Sequence, residues 1–163
     1  AGEAFDAQLL GAEALNALRI EKGFRHWGHD MSYTEAPHQV GLDFVCKTKK
    51  TTAFIGLEAY LQRKLEANGP YLCAIRLCDP TPLMHHNEPV LCDGQVVGYI
   101  TSAAFSAHFN CAIGLCLIEL PIDARAGAAT IATHYSVMIE GNPVSAEVSL
   151  IPFYDAKNER MLS

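Results

Sequence analysis

The stretch Asn87–Ser102, NEPVLCDGQVVGYITS, decides the fold. Two apolar runs flank Asp93-Gly94, a pair whose backbones both tolerate positive φ, so the stretch reads as a β-hairpin with a two-residue turn. Upstream of it, YLCAIRL (Tyr71–Leu77) has the length and apolar content of a strand. Downstream, CAIGLCLIEL (Cys111–Leu120) is an unbroken apolar run of strand length, as expected of a strand buried on both faces. Beyond it, GAATIATHYSVMIEGNPVSAEVSLIPF (Gly127–Phe153) holds two more strands, joined by a turn at Gly141, Asn142 and Pro143. Short strands with turns at this spacing imply a small antiparallel barrel or sandwich.

Before Pro70 the texture differs. Leu10, Ala14, Ala17 and Leu18 recur at helical spacing and predict a helix over Ala7–Lys22, with Gly23 as its stop. Arg25–His38 reads as an ordered loop. In Gly41–Lys49, Leu42, Phe44 and Cys46 alternate with Asp43 and Val45, which predicts a strand. Leu57, Tyr60, Leu61 and Leu65 predict a second helix over Gly56–Ala67, ended by ANGP (Ala67–Pro70). The chain therefore divides near residue 68 into a mixed helical part, 1–67, and an all-β part, 68–163. The first part is too short, and its apolar faces too open, to be a domain alone; it reads as the tail of something larger.

Composition narrows the partners. The chain has 163 residues, half of them apolar, and a formal charge of −6. An acidic balance argues against nucleic acid, which needs a basic face. The longest apolar run is strand-sized, so no membrane association is expected. The first residues contain acids and lack the basic start of a signal peptide. The six cysteines form no CxxC pair and sit largely in apolar contexts, which reads as free buried thiols in a reducing compartment: the cytoplasm, or the mitochondrial matrix if the source is eukaryotic.

The stretch EKGFRHWGHDM (Glu21–Met31) mixes aromatics, histidines and charges at the end of the first helix. His26 and His29 have metal-like HxxH spacing, but no third or fourth ligand is evident nearby, so no metal site is assigned. Arg19 and Glu21 are two residues apart and do not face each other on a helix; each is expected to pair with another segment. His85-His86 reads as a surface pair. No glycine-rich phosphate loop follows a strand, and no Ser-His-Asp arrangement can be built from the spacing. No catalytic residue is assigned within this chain.

Four stretches occur here in one order: ALNALRIEKGFRHWGHDM (Ala14–Met31), VGLDFVCKTKKTTAFIGLEAYLQ (Val40–Gln62), EPVLCDGQVVGYITSAAFS (Glu88–Ser106) and IPFYDAKNERM (Ile151–Met161). In that order they resemble the C-terminal region of the glycine-cleavage T-protein (aminomethyltransferase) family. The details EKGFRHWG and PFYDAKNERM are most similar to the folate-linked portion of sarcosine and dimethylglycine dehydrogenases. The resemblance implies an α+β fold: the tail of an α/β folate-binding domain, residues 1–67, followed by a small antiparallel β-barrel, residues 68–163. It implies tetrahydrofolate as cofactor, with FAD only in an upstream domain outside this chain. It implies capture of the carbon of an N-methyl amine as methylene-tetrahydrofolate, with the upstream domains of the same polypeptide as partners. The family's key aspartate falls upstream of residue 1, so this chain alone is expected to be inactive. Phe24 and Trp27 match positions that border the folate cavity. Leu15 stands where the T-protein branch carries an arginine near its folate, a departure from that branch. The implied alternatives are a T-protein-like aminomethyltransferase and a non-catalytic regulatory relative.

Overall fold

The computed structural model describes residues 2–66, 69–120 and 130–162. Two α-helices, α1 (Ala12–Glu21) and α2 (Leu57–Glu66), precede six strands: β1 (Tyr71–Leu77), β2 (Pro89–Cys92), β3 (Gln95–Ser106), β4 (Cys111–Ile118), β5 (Thr130–Ile139) and β6 (Asn142–Ser149). The strands close into an antiparallel barrel in the order β1-β4-β3-β2-β5-β6, with β1 pairing back to β6. The fold is α+β, and the barrel is the closed alternative among the two architectures that the strand pattern permits.

The decisive hairpin forms as read. Cys92 pairs with Gln95 across Asp93 (φ 49°) and Gly94 (φ 77°), the positive-φ pair that a tight hairpin turn requires. Glu140 and Gly141 do the same for β5 and β6, so Asn142 and Pro143 already lie in β6 rather than in the turn. β4 is buried along its whole length because both its faces are covered. Ala112, Cys116 and Ile118 join Cys73, Ile75, Val90, Ile100 and Val137 in the barrel interior. Cys111, Ile113, Leu115 and Leu117 point the other way and pack with Leu72 and Ala74 against Ile20 and Val40. One strand thus serves two cores, which explains why its sequence shows no polar alternation.

The first helix is shorter than its apolar pattern predicts. It begins after Gly11, and Leu9 and Leu10 before it are exposed. Its end is a Schellman motif: Gly23 N–H donates to Ile20 O at 2.9 Å and Phe24 N–H to Arg19 O at 2.8 Å, with Gly23 at φ 71°. The predicted strand over Gly41–Lys49 does not form. The chain instead makes a 3-10 turn, Asp43–Val45, with Phe44 and Val45 exposed. Every barrel strand already has two neighbours, so no edge is left for a further strand. Asp43 is held locally, by the Tyr60 hydroxyl and by Lys64 Nζ at 2.5 Å. The division at 67/68, the end of the predicted second helix and the first residues of the stretch beginning at Gly127 lie outside the described residues.

Candidate functional site

The Schellman turn sends the chain from α1 back across the barrel, and this return builds a buried polar knot. Asp30 is fully buried. Its Oδ2 accepts from Arg19 Nη1 at 2.6 Å and from the His26 backbone N–H at 2.8 Å, and its Oδ1 accepts from the Thr101 hydroxyl at 2.6 Å. Arg19 also donates to Ser102 Oγ at 2.8 Å, to Asn16 Oδ1 at 2.9 Å and to Phe24 O at 3.3 Å. A buried carboxylate is tolerated only with such partners. The knot ties three parts of the chain together: α1, the loop after it, and β3.

Glu21 and Lys22 anchor the same helix end elsewhere. Glu21 accepts from the Ser106 hydroxyl at 2.5 Å in a buried setting. Lys22 Nζ pairs with Asp155 Oδ2 at 3.0 Å and also donates to the Asp155 backbone oxygen. Burial pushes the Asp155 carboxyl up, but the Lys22 contact and the backbone N–H of Arg160 outweigh it and hold the group below its ordinary value. Arg19 and Glu21 therefore pair with other segments, as their spacing requires, and both choose the barrel.

Two adjoining clefts open beside the knot. One, of about 340 Å³, is lined by His26, His29, His86, Arg19 and Thr101. His26 and His29 stack at 4.5 Å between ring centroids, and His29 meets the edge of His86 at 5.8 Å. His85 and His86 are both exposed, as the sequence reading has them, and His86 Nδ1–H donates to Thr101 O at 2.7 Å. The other cleft, of about 420 Å³, is lined by Leu15, Asn16, Arg19, Phe24, Arg25 and His26. Burial lowers the Arg25 guanidinium from its ordinary value, with Asp30 opposing. Arg25 donates to Val40 O at 2.8 Å, which fixes it as the cleft's edge.

Phe24 lines this second cleft and is 50% exposed. Trp27 stands on the surface beside it, 63% exposed, and is absent from the lining of either cleft. Neither aromatic is packed under the barrel. Leu15, the departure noted in the sequence, lies in the same cleft as Phe24. Sequence reasoning missed the Asp30–Thr101 and Glu21–Ser106 bonds. Each links residues far apart in the chain, and no local pattern announces them.

The buried acids are committed: Asp30 and Glu21 both serve barrel hydroxyls, so neither is at hand to move a proton on a ligand. What the site offers is an apolar and aromatic wall with arginine, asparagine and histidine donors at its edge. That set suits a flat, partly polar ring system.

Residues 71–155 match the glycine cleavage T-protein C-terminal barrel domain, and residues 1–50 match the GCVT N-terminal domain. A 4-methylaminobutanoate oxidase (formaldehyde-forming) of Paenarthrobacter nicotinovorans is 35% identical over 161 residues, which is 99% of this chain and 19% of the relative. An aminomethyltransferase of Clostridium botulinum is 35% identical over 119 residues, 73% of this chain and 32% of the relative. One from Geobacillus kaustophilus is 34% identical over 88% of this chain and 38% of its own length. The chain thus spans well under half of these relatives. The crystal structure of the glycine cleavage system aminomethyltransferase T from Bartonella henselae superposes with a TM-score of 0.71 at 17% identity, covering 88% of this chain and 38% of that one. No helix among the described residues is long and apolar enough to cross a membrane.

Proposed function

The chain belongs to the glycine cleavage T-protein family, and on that premise we propose that it forms the C-terminal part of a tetrahydrofolate-dependent one-carbon-transfer enzyme of the sarcosine or dimethylglycine dehydrogenase type. The observation that carries this reading is coverage. The oxidase relative, whose name specifies a methylamino substrate, aligns with 99% of the chain, whereas the aminomethyltransferases align with 73% and 88%. In this reading an upstream flavin domain oxidises an N-methyl amine, and the folate portion captures the carbon before water does. Residues 1–67 close the folate-binding portion and residues 68–163 supply the barrel.

The apolar side of α1 supports the incomplete first portion. Leu15 and Leu18 are 58% and 52% exposed, while the buried residues of the helix are Ile20 and Glu21. These two leucines stand open to solvent, as they would against a further part of the protein.

Phe24 and Trp27 are the residues assigned to the cofactor. Tetrahydrofolate, when bound, supplies the nitrogen that takes up the carbon. Phe24, with Leu15, walls the cleft and excludes water from that reaction. Trp27 extends the wall outward, and Arg19 and Asn16 hold the cleft's polar edge. The chain contributes binding and orientation; the carboxylate that handles the proton comes from the upstream part.

A T-protein-like aminomethyltransferase is the second reading, favoured by the identity of 34–35% to two such enzymes. The test uses the intact protein. Trp27→Ala should weaken folate-dependent transfer more than it slows amine oxidation. Equal loss of both with a lowered melting temperature would assign Trp27 to packing instead. A colourless intact protein that oxidises no N-methyl amine but still transfers aminomethyl groups would select the second reading.

A further inference from the structure

β1 and β4 carry two cysteine pairs in one register. The pairing runs from Tyr71 opposite Ile118 to Arg76 opposite Ile113, and it sets Cys73 directly across from Cys116. Continued by two residues, the same register sets Cys78 across from Cys111 at the mouth of the ladder. Because the two pairs are separated by an odd number of residues, they point to opposite faces.

The inner pair lies in the barrel core. Cys73 and Cys116 are 1% and 0% exposed. Burial pushes the Cys73 thiol up to about 12 and raises Cys116 as well. These are inert packing thiols.

The outer pair is placed differently. Cys78 is exposed and Cys111 is buried beneath it. Both line a cleft of about 380 Å³ together with Arg76, Phe109 and Glu147. The Cys78 backbone N–H donates to Ser145 O on the β6 side at 2.9 Å. In an antiparallel sheet a residue's N–H and C=O point the same way, so Cys78 makes no ladder bond toward β4. A ladder carried on in this register sets Cys78 opposite Cys111 as a non-hydrogen-bonded pair, for which Cα separations are about 4.5 Å. That separation lies within the range of about 4.4–6.8 Å that a disulfide spans. Burial raises the Cys111 thiol and Arg76 opposes it, with Cys78 near enough to add to the rise. Cys111 is thus the later partner, and Cys78 meets the solvent first.

We propose that Cys78 and Cys111 form a peroxide-reactive dithiol, a modification site outside the folate-facing clefts, with Cys78 as the attacked thiol and Cys111 as the resolving one. The Cys78 thiolate attacks one oxygen of hydrogen peroxide; the O–O bond breaks, a sulfenic acid forms on Cys78, and the departing hydroxide takes a proton to become water. Cys111 Sγ then attacks Cys78 Sγ; the S–O bond breaks, and the leaving hydroxide takes the Cys111 proton as a second water. Two thiols lose two electrons to one peroxide, and the cross-link ties the end of β1 to the start of β4. The inner pair, in the same register but shut inside the barrel, is the internal control.

The experiment uses the full-length protein, reduced, exposed to hydrogen peroxide, quenched with an alkylating agent and digested without reductant for mass spectrometry. The expected result is a Cys78–Cys111 linked peptide, with Cys73 and Cys116 still reduced at the same dose. Cys78→Ser should leave Cys111 reduced, and Cys111→Ala should let Cys78 accumulate as a dimedone-trapped sulfenic acid. Cys78→Ser replaces an exposed residue, so it keeps the proposal open to refutation if Cys111→Ala misfolds. No Cys78–Cys111 peptide, equal dimedone trapping in wild type and Cys111→Ala, or oxidation of the inner pair at the same dose would each overturn it.

Discussion

Replacing Asp30 by alanine removes both oxygens from the knot that joins α1, its following loop and β3. Three donors lose the Asp30 oxygens at once: Arg19 Nη1, the His26 N–H and the Thr101 hydroxyl; Arg19 Nη1 keeps only Phe24 O at 3.3 Å and Thr101 only Leu115 O at 3.1 Å. Deleting one partner of a buried ion pair costs about 3–5 kcal/mol, because the other charge stays behind uncompensated. For a chain of this size that is a fall in melting temperature of roughly 6–20 °C. Asp30→Asn separates charge from hydrogen bonding. Its amide oxygen still accepts from Arg19 and His26. Its amide nitrogen turns to Thr101, whose hydroxyl is free to donate to Leu115 O at 3.1 Å. Arg19 still loses its counter-charge, but the hydrogen bonds are kept, so the loss is smaller than alanine's by about 1–2 kcal/mol. Urea unfolding followed by far-ultraviolet circular dichroism gives both values. An alanine variant within about 1 kcal/mol of wild type, or equal losses for alanine and asparagine, would refute the knot as the element that holds helix to barrel.

Gly23→Ala forces a side chain into the left-handed backbone of the Schellman turn, where its Cβ meets Pro152 Cγ at 2.7 Å. The backbone alone costs about 1–2 kcal/mol; a melting temperature unchanged from wild type would show that the turn is dispensable. His38 has both ring nitrogens buried without a hydrogen bond among the described residues. Its pKa is lowered, first by burial, with Asp43 opposing and Lys64 and Arg63 adding to the fall. The folded chain therefore favours the neutral ring. The unfolded chain binds the proton first as pH falls below about 6.5. Stability is then full above that value and declines below it, and His38→Phe should flatten the slope just below about pH 6.5. A slope unchanged in His38→Phe would assign it to other groups.

How much of this was legible in the sequence depends on whether the cause was local. Asp93-Gly94 fixes its own turn, and the run Cys111–Ile118 is apolar throughout because α1 covers one face and the barrel interior the other. Gly23 announces its helix end for the same local reason. The stretch Leu42 to Cys46 alternates like a strand, yet a closed barrel offers it no edge, and Tyr60 and Lys64 hold Asp43 in a turn instead. Closure is a property of all six strands together, so no window of sequence reveals it. The helix stripe announces the helix through Leu10, Ala14, Ala17 and Leu18, and Leu10 and Leu18 stand exposed, in keeping with apolar faces too open for a domain alone. Phe24, proposed for the cofactor on resemblance alone, lies in a cleft with Leu15, while the Asp30 knot had no signal in the sequence. Its partner Thr101 is 71 residues away, and only the fold brings them together.

The role proposed for this chain is as part of an enzyme that hands the carbon of an N-methyl amine to tetrahydrofolate. It is tested most directly by incubating the intact protein with an N-methyl amine, with and without tetrahydrofolate, and measuring formaldehyde and methylene-tetrahydrofolate together. The account predicts that formaldehyde falls when tetrahydrofolate is present and that methylene-tetrahydrofolate rises to match the amine consumed. Formaldehyde released in undiminished yield, with no methylene-tetrahydrofolate beyond that formed in free solution, would contradict it.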